Sequence, residues 1–369
     1  MKKMTAGIIF FTTVILLMPL GKAEHASFTD SQTPPAFKAD YLVIDSPPTS
    51  SVLTVTLAGD CTLGGTESSS KKDVGFVKTV EKFGLAYPFS GLLTLFAADD
   101  VTLINLEGVL SDSKEGENTE KEFAFRGPAA FAQMLPLGSV EAVNLSNNHL
   151  DDYGKRGRED TIQALQANGI TYAGEEWLSI FSTDRGKIGL AGIRGVLTEE
   201  KKKTITRQID ILRNEGCQVV IYSLHAGQEY AKNHNGLQRD MARYLIDAGA
   251  DVIAGHHPHI AQGIEIYKNR LILYSLGNFI FGGNHNPRVK DALVARVEFH
   301  LTNGQLSGIQ ASLHPICFTG RSKGNEFRPV LLTSKQAINV IKQIQQDTAI
   351  PLPEFADGYG VVLPFMPVK

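Results

Sequence analysis

From Ser51 onward, short runs of apolar, often β-branched residues alternate with amphipathic segments and glycine turns. The apolar runs have the length of β-strands, whereas the amphipathic segments repeat their apolar residues at helical spacing. This alternation predicts an α/β domain. After Arg270 the pattern becomes dominated by strands. The predicted helices cover residues 157–168, 198–214, 236–248 and 334–346.

The first residues follow a different pattern. Lys2 and Lys3 precede an apolar run from Ala6 to Leu20, which is shorter than the roughly 20 residues that a membrane span normally needs. This arrangement predicts a cleaved export signal, with an uncleaved N-terminal anchor as the alternative. We therefore expect the protein to work outside the cytoplasm, in the periplasm or at the cell surface, where its N-terminus could hold it at the membrane.

The composition divides the remainder of the chain. A segment rich in Pro, Ser and Thr follows the apolar run and is typical of a linker. Beyond residue 320 the periodicity weakens. The predicted units are residues 1–23 (signal peptide or anchor), 24–50 (linker), 51–320 (α/β domain) and 321–369 (C-terminal extension).

The net charge bears on possible binding partners, and the cysteine content bears on possible disulfides. The net charge is −3, and the chain has no long basic run, so nothing in the composition favours nucleic-acid binding. Cys61, Cys217 and Cys317 form neither a CxxC pair nor an even disulfide framework. A Cys217–Cys317 bridge is possible, but we expect three buried, unpaired side chains.

Polar residues that can bind metal follow five of the apolar runs. In chain order these residues are Asp60, Glu107, the trio Asn147, Asn148 and His149, His225, and the cluster His256-His257-Pro258-His259. In an open α/β sheet the carboxyl ends of parallel strands share one edge, and ligands bind just beyond it. The five runs would therefore bring these side chains into one crevice.

Taken singly, these residues have simpler explanations. Asp60 follows a glycine and could be a turn residue or a helix cap, and Asn147 could support a turn. The His257-Pro-His259 pair is the strongest single signal, because extended backbone sends residues i and i+2 to the same side. Two imidazoles beside a carboxylate and an amide oxygen suit a divalent transition metal. The chain has no GxSxG, GxxxxGK[ST] or HExxH motif, which argues against a serine hydrolase, a nucleotide loop and a helix-borne zinc protease.

Six segments carry a family resemblance. They are LAGDCTLGG, NLEGVLSD, NLSNNHLDDYG, SLHAGQEY, GADVIAGHHPHIAQGIEIY and YSLGNFIF, within residues 52–300. In this order they resemble the CapA-type poly-γ-glutamate capsule biosynthesis proteins, which have the calcineurin-like metallophosphoesterase fold. The resemblance implies a four-layer αββα sandwich with two central mixed sheets and the site at one edge. The strand-rich segment after Arg270 fits the second sheet.

The resemblance also implies a role for each polar residue. His149 takes the position of the residue that protonates the leaving group. Arg126 could clamp a carboxylate or phosphate of the substrate, although a surface ion pair is the simpler explanation. Glu229 and His256 are expected to support the ligands, Glu229 by orienting His225. The implied metal ligands are Asp60, Glu107, Asn148, His225, His257 and His259.

Two departures affect the metal. Metallophosphoesterases usually have Asp-x-His where this chain has Asp60-Cys61-Thr62, and they usually have aspartate at the position of Glu107. The expected cofactor is therefore a divalent metal (Mn, Zn or Fe), as one tightly held ion or two.

Three functions follow from the resemblance. The first is a metal-dependent hydrolase that serves synthesis, export or attachment of an anionic capsule polymer such as poly-γ-glutamate, alongside membrane-bound capsule synthesis proteins. The second is a general extracytoplasmic metallophosphoesterase acting on small phosphate esters. The third is a non-catalytic assembly subunit on a degenerate phosphatase fold.

Overall fold

The computed structural model describes residues 50–70 and 72–368. The predicted signal peptide or anchor and all of the predicted linker except Ser50 lie outside these residues. Within them, no helix has the length and apolar character needed to cross a membrane.

Strands make up most of the framework. They are β1 (Ser50–Thr62), β2 (Val101–Leu106), β3 (Val109–Leu110), β4 (Arg126–Gly127), β5 (Ala142–Asn144), β6 (Thr171–Ala173), β7 (Ser179–Ser182), β8 (Lys187–Arg194), β9 (Val219–His225), β10 (Val252–His256), β11 (Ile264–Tyr267), β12 (Arg270–Leu273), β13 (Asn278–Phe281), β14 (Asp291–Thr302), β15 (Gln305–Cys317), β16 (Val330–Leu331), β17 (Val361–Val362) and β18 (Met366–Pro367).

The helices lie between the strands. They are α1 (Glu67–Ser70), α2 (Phe76–Phe83), α3 (Leu93–Phe96), α4 (Met134–Leu137), α5 (Gly154–Ala167), α6 (Glu199–Asn214), α7 (Gly236–Asp247) and α8 (Ser334–Gln345), with 3₁₀ turns at Tyr87–Phe89 and Ala129–Gln133. The four helices predicted from periodicity correspond to α5 to α8. Helix α7 starts with a capping box, in which the Asn235 side chain and Gln238 satisfy each other's backbone N–H groups.

Two mixed sheets contain nearly all of the strands. The ten-stranded sheet runs β16-β15-β14-β1-β2-β5-β6, with β13, β17 and β18 pairing to its members, and the six-stranded sheet runs β11-β12-β10-β9-β8-β7. In each sheet the central strands are parallel and antiparallel strands lie toward an edge. The prediction of two mixed sheets is confirmed.

The sheets pack face to face and carry helices on their outer faces. In β9, Val219 and Ile221 belong to the core between the sheets, whereas Val220 and Tyr222 belong to the core beneath α6 and α7. Because both faces are covered, this strand is a continuous apolar run. A third core joins α2 to α5 with the ten-stranded sheet. The architecture is therefore a four-layer αββα sandwich.

The C-terminal segment is part of this packing. Strands β16, β17 and β18 all pair with β15, and Val340 and Ile344 of α8 contribute to the core between the sheets. The segment predicted as an extension, residues 321–369, therefore covers apolar surface of the α/β domain. The three cysteines are buried and unpaired, as expected.

Two expectations about the sheets need correction. The strand-rich segment that starts at Arg270 does not form one sheet by itself, because its first strand, β12, belongs to the smaller sheet, whereas β13, β14 and β15 belong to the larger sheet with β1. The five apolar runs also do not share one sheet. Strands β1, β2 and β5 belong to the larger sheet, whereas β9 and β10 belong to the smaller one.

Candidate metal centre

The carboxyl ends of these five strands meet where the two sheets face each other. Two groups of side chains there are close enough to hold a metal ion, with all ligand atoms of a group within 4.8 Å of one another. The first group is Asp60, Glu107 and His259, and the second is Glu107, His225 and His257. Glu107 belongs to both groups and could therefore bridge two ions.

The first group is centred on Asp60, which lies in β1 and is fully buried. Its Oδ2 atom lies 3.2 Å from His259 Nδ1 and accepts the backbone N–H of His257 at 3.2 Å. Gly59, the residue before it, packs so tightly against the Gly277 carbonyl that a Cβ atom would collide with it. These contacts fix the carboxylate between the two sheets.

The second group is centred on His225, the last residue of β9. Its Nε2 atom lies 2.7 Å from the Asn148 amide oxygen and 3.8 Å from Glu107 Oε1. Its ring is 4.7 Å from the ring of His257. Asn148 therefore adds an oxygen donor beside this group, as the resemblance implies.

The His257-Pro-His259 segment is not extended. His257 has φ = 98° and His259 has φ = 59°, conformations that few residues other than glycine adopt. The expectation that extended backbone places both rings on one side is wrong. Instead the turn sends the two rings to different groups, with their centroids 6.2 Å apart.

Burial and neighbouring charges perturb the pKa values of the group. Burial, and then the charge of Asp60, raise the pKa of Glu107 to about 8. Burial lowers the pKa of His225 and of His257, which favours the neutral imidazole that binds metal. Burial also disfavours the charged form of His259, but Glu107 and Asp60 outweigh it and raise that pKa to about 10. Two carboxylates in this small volume thus require compensating positive charge.

His149 faces the same space from the loop after β5. Its Nε2 atom is 3.9 Å from Glu107 Oε1, and its Nδ1 atom is 2.7 Å from Asp152 Oδ2. Asp152 is fully buried and also accepts hydrogen bonds from Lys121 Nζ and the Phe125 backbone N–H. Because Asp152 has only acceptors to offer, it holds the His149 proton on Nδ1 and directs Nε2 toward the candidate ligands.

The remaining predicted residues lie further from the ligands or have other roles. Arg126 Nη1 donates to the Ser111 carbonyl at 2.6 Å, and its guanidinium stacks on Tyr153 at 5.5 Å. Glu229 is exposed and makes no hydrogen bond to His225, so the prediction that it orients that ring does not match the geometry.

His256 and Thr62 occupy buried strand ends. His256 ends β10, and its Nδ1 atom is 3.5 Å from Asp60 Oδ1, so it supports the carboxylate from the strand and not from a loop. Thr62 ends β1, and its hydroxyl has no hydrogen-bond partner among residues 50–70 and 72–368.

Sequence reasoning missed a set of asparagines that orient the candidate ligands. Asn105 Nδ2 donates to Asp60 Oδ1 at 2.8 Å and lies 3.4 Å from His225 Nδ1. Asn278 lies 3.1 Å from His259 Nδ1 and donates to the His259 carbonyl. Both asparagines occur at apolar strand ends, in DVTLINL and YSLGNFIF. A polar residue within such a run was the signal that could have identified them.

The donor set fits a metal. Both oxygens of Glu107 are buried, and neither has a hydrogen-bond partner within the described part of the chain. A buried charge without a partner is costly, and binding a cation is one of the few ways to compensate it. The surrounding donors are imidazole nitrogens and carboxylate or amide oxygens, which suit divalent transition metals.

The geometry agrees with a sequence comparison. The family described as bacterial capsule synthesis protein PGA_cap matches residues 54–283, which include all the candidate ligands. The chain belongs to this family.

Two curated relatives extend the comparison. The capsule biosynthesis protein CapA of Bacillus anthracis is 28% identical over 274 residues, which are 68% of this chain and 64% of that protein. The PGA biosynthesis protein CapA of Bacillus subtilis is 30% identical over 244 residues, which are 61% of this chain and 63% of that protein. The matches thus span slightly less than two thirds of either relative.

Among solved structures, the calcineurin-like phosphoesterase YfkN from Bacillus subtilis is similar to this chain at 16% identity and a TM-score of 0.45, covering 80% of this chain and 97% of that one.

Proposed function

We propose that this protein is an exported metal-dependent hydrolase that acts on an anionic capsule polymer of the poly-γ-glutamate type. The observation that carries the proposal is the position of Glu107. Its buried carboxylate is shared by two groups of potential ligands and has no hydrogen-bond partner of its own among the described residues. A carboxylate in this position suits a bridge between two ions.

The proposed ligands divide between two ions. Asp60 and His259 would hold one, His225 and His257 the other, and Glu107 would bridge them, with Asn148 completing the second set. Manganese, zinc or iron fits this mixture of nitrogen and oxygen donors. Such ions supply Lewis acidity and lower the pKa of water.

The chain's own residues would supply orientation and proton transfer. Asp152 holds the His149 ring so that Nε2 faces Glu107. From this position the doubly protonated ring of His149 would donate its Nε2 proton to the leaving group and keep its Nδ1 proton bonded to Asp152, and general acid catalysis of this kind typically contributes about 10²–10⁴-fold. The ring of Phe125, 4.5 Å from that of His149, shields this side chain from water.

The capsule role rests on the family. The two CapA relatives are named for capsule and PGA biosynthesis, and we extend that role to this chain. The basic and apolar residues at its N-terminus support export, which would bring the domain to the polymer outside the cytoplasm. Membrane-bound capsule synthesis proteins are its proposed partners there.

A second candidate is a phosphoesterase for small phosphate esters. The His149–Asp152 pair beside a shared carboxylate favours it, because two ions bridged by one carboxylate also suit in-line displacement at phosphorus. Thr62 distinguishes the candidates. If Thr62→His creates or greatly raises phosphodiesterase activity, the native site is not a complete phosphatase.

The first experiment is elemental analysis of the purified full-length chain after reconstitution with Mn²⁺, Zn²⁺ or Fe²⁺. We expect one to two ions per chain in the native protein. Glu107→Gln and His257→Ala should lose bound metal, whereas the control Glu159→Gln, which changes an exposed residue on α5, should retain it. The metal-loaded chain is then incubated with poly-γ-glutamate, and cleavage of the polymer is measured as the appearance of new amino groups. A native chain without metal would leave the non-catalytic assembly role, and metal without cleavage of the polymer would favour the phosphoesterase.

A further inference from the structure

Arg194 ends strand β8 beside the candidate metal centre. In the parallel pairing of the smaller sheet, Arg194 is in register with His225, and His225 is in register with His256. Residues in register on neighbouring parallel strands point to the same face, about 4.8 Å apart. The three side chains therefore form a row on the inner face of the sheet, with Arg194 at its outer end.

Packing at β8 brings this row close to the other sheet. Gly192, two residues earlier on the same face, lies against the Asn144 side chain so closely that a Cβ atom would collide with it. The Arg194 side chain then reaches across, and its Nη1 atom donates to the Asn147 carbonyl at 2.9 Å. Asn147 directly precedes Asn148 and His149, so the guanidinium lies against the loop that carries both.

Most hydrogen-bond donors of the Arg194 guanidinium are not used within the described part of the chain. Arg194 is half-buried, and within the described ranges its only side-chain hydrogen bond is the one to Asn147. The nearby Glu175 carboxylate accepts the backbone N–H of Arg194 and pairs with Lys201, which also donates to the Arg194 carbonyl. These contacts fix the backbone, and no carboxylate among the described residues pairs with the charge of the side chain.

Arg126 is not part of this row. It belongs to β4, which pairs with β3 apart from the two large sheets, and its guanidinium packs over Tyr153 while Nη1 donates to the Ser111 carbonyl. The substrate clamp expected at Arg126 is therefore better placed at Arg194, which no sequence motif singled out.

We propose that Arg194 binds an anionic group of the substrate, a carboxylate or a phosphate, beside the ligands His225 and Asn148. This inference rests on the proposed function, because it assumes that a substrate approaches the metal centre. The planar fork of arginine makes paired hydrogen bonds to either anion, and the Asn147 carbonyl holds that fork in place. A γ-linked polymer presents a free carboxylate on every residue, whereas a phosphate ester presents a single phosphate.

The test measures binding to the Mn²⁺-loaded full-length chain by isothermal titration calorimetry, with γ-linked hexaglutamate and inorganic phosphate as separate probes. We expect Arg194→Met to weaken the preferred probe about tenfold or more, the usual loss for a charge-assisted hydrogen bond. Arg194→Lys retains the charge and a donor for Asn147, and should show a smaller loss. Arg239→Met removes an exposed arginine that pairs with Asp240, and should change nothing.

The probe that loses affinity identifies the source of the anion. Loss for hexaglutamate alone assigns Arg194 to the polymer, and loss for phosphate alone assigns it to a phosphate ester. Native affinity for both probes in Arg194→Met, or no binding by the metal-loaded native chain, would overturn the inference. A loss of bound Mn²⁺ in both Arg194 variants would also overturn it, because the residue would then act on the metal site. A native chain that takes up no Mn²⁺ overturns the proposed function instead.

Discussion

Replacing Glu107 with glutamine separates the two effects of its carboxylate. The side chain is fully buried, neither oxygen has a hydrogen-bond partner among the described residues, and Asp60 lies in the same candidate group. Without metal, the ionised Glu107 carboxylate should therefore oppose folding. With metal present, the same carboxylate should bind the ion and stabilise the folded chain. Glu107→Gln keeps the size of the side chain and removes the charge, so we expect a variant that is more stable without metal and that gains little from adding it.

The magnitude follows from the pKa of Glu107, which burial and then Asp60 raise from 4.5 to about 8. Because the folded-state pKa of this acid is raised, the free energy of unfolding falls as pH increases from about 4.5 to about 8. At pH 7 the loss amounts to about 3 kcal/mol. In a domain of this size 1 kcal/mol corresponds to roughly 2 °C in Tm, so the metal-free variant should melt about 6 °C above the native chain.

The assay is thermal unfolding followed by circular dichroism, in chelator and in Mn²⁺. At a metal concentration about 100 times Kd, the native chain should gain about 2.7 kcal/mol, or about 5 °C, while the variant gains little. In chelator, the difference in Tm between Glu107→Gln and the native chain should be smaller at pH 5 than at pH 7. Glu159→Gln, an exposed change of the same kind on α5, should behave nearly as native. A metal-free variant that melts below the native chain, or that gains equally from Mn²⁺, would refute the reasoning.

Three further predictions concern stability. Asp152→Asn breaks a buried ion pair and should lower the free energy of unfolding, measured in urea, by about 3 kcal/mol. Asp151→Asn removes a more exposed pair and should lower it by less than about 1 kcal/mol, so equal losses would contradict this assignment. On α8, Ile344→Ala should lower the free energy of unfolding by about 2–5 kcal/mol, because Ile344 is buried between the sheets. The control Ile338→Ala changes an exposed residue and should be nearly neutral. A neutral effect of Ile344→Ala would mean that α8 does not stabilise the domain. Burial raises the pKa of Glu141 to about 7, so stability should fall as pH rises from 5 to 8, and Glu141→Gln should reduce that fall in Tm; an unchanged profile would contradict it.

Much of the fold could be predicted because its signals are local. The apolar run that ends at His225 and the helical spacing in residues 236–248 identify a strand and a helix without reference to the remainder of the chain. The pairing of strands is different. Nothing within β14 specifies that it joins β1 instead of the second sheet, because β-pairing depends on contacts between residues distant in sequence.

The residues of the candidate site also divide into those with a local signal in the sequence and those without one. Asp60, Glu107 and His225 could be selected from the sequence because each follows an apolar run, where a polar residue is unexpected. Asn105 was missed because it lies within such a run, and Glu229 was misassigned because adjacency in sequence does not give side-chain direction. Arg194 could be recognised only from its register with His225.

By itself, the sequence determined which segments form strands and helices, and which polar residues lie at strand ends, since both depend on the order of apolar and polar residues along a short stretch. The tertiary structure decided which of these residues meet. The two sheets bring Asp60 and His225 together from separate layers, and the positive φ angles of His257 and His259 direct neighbouring rings to different ligand groups. The physical reason is that register, sheet packing and backbone strain are set by contacts across the whole domain, and these contacts leave no local trace in the sequence.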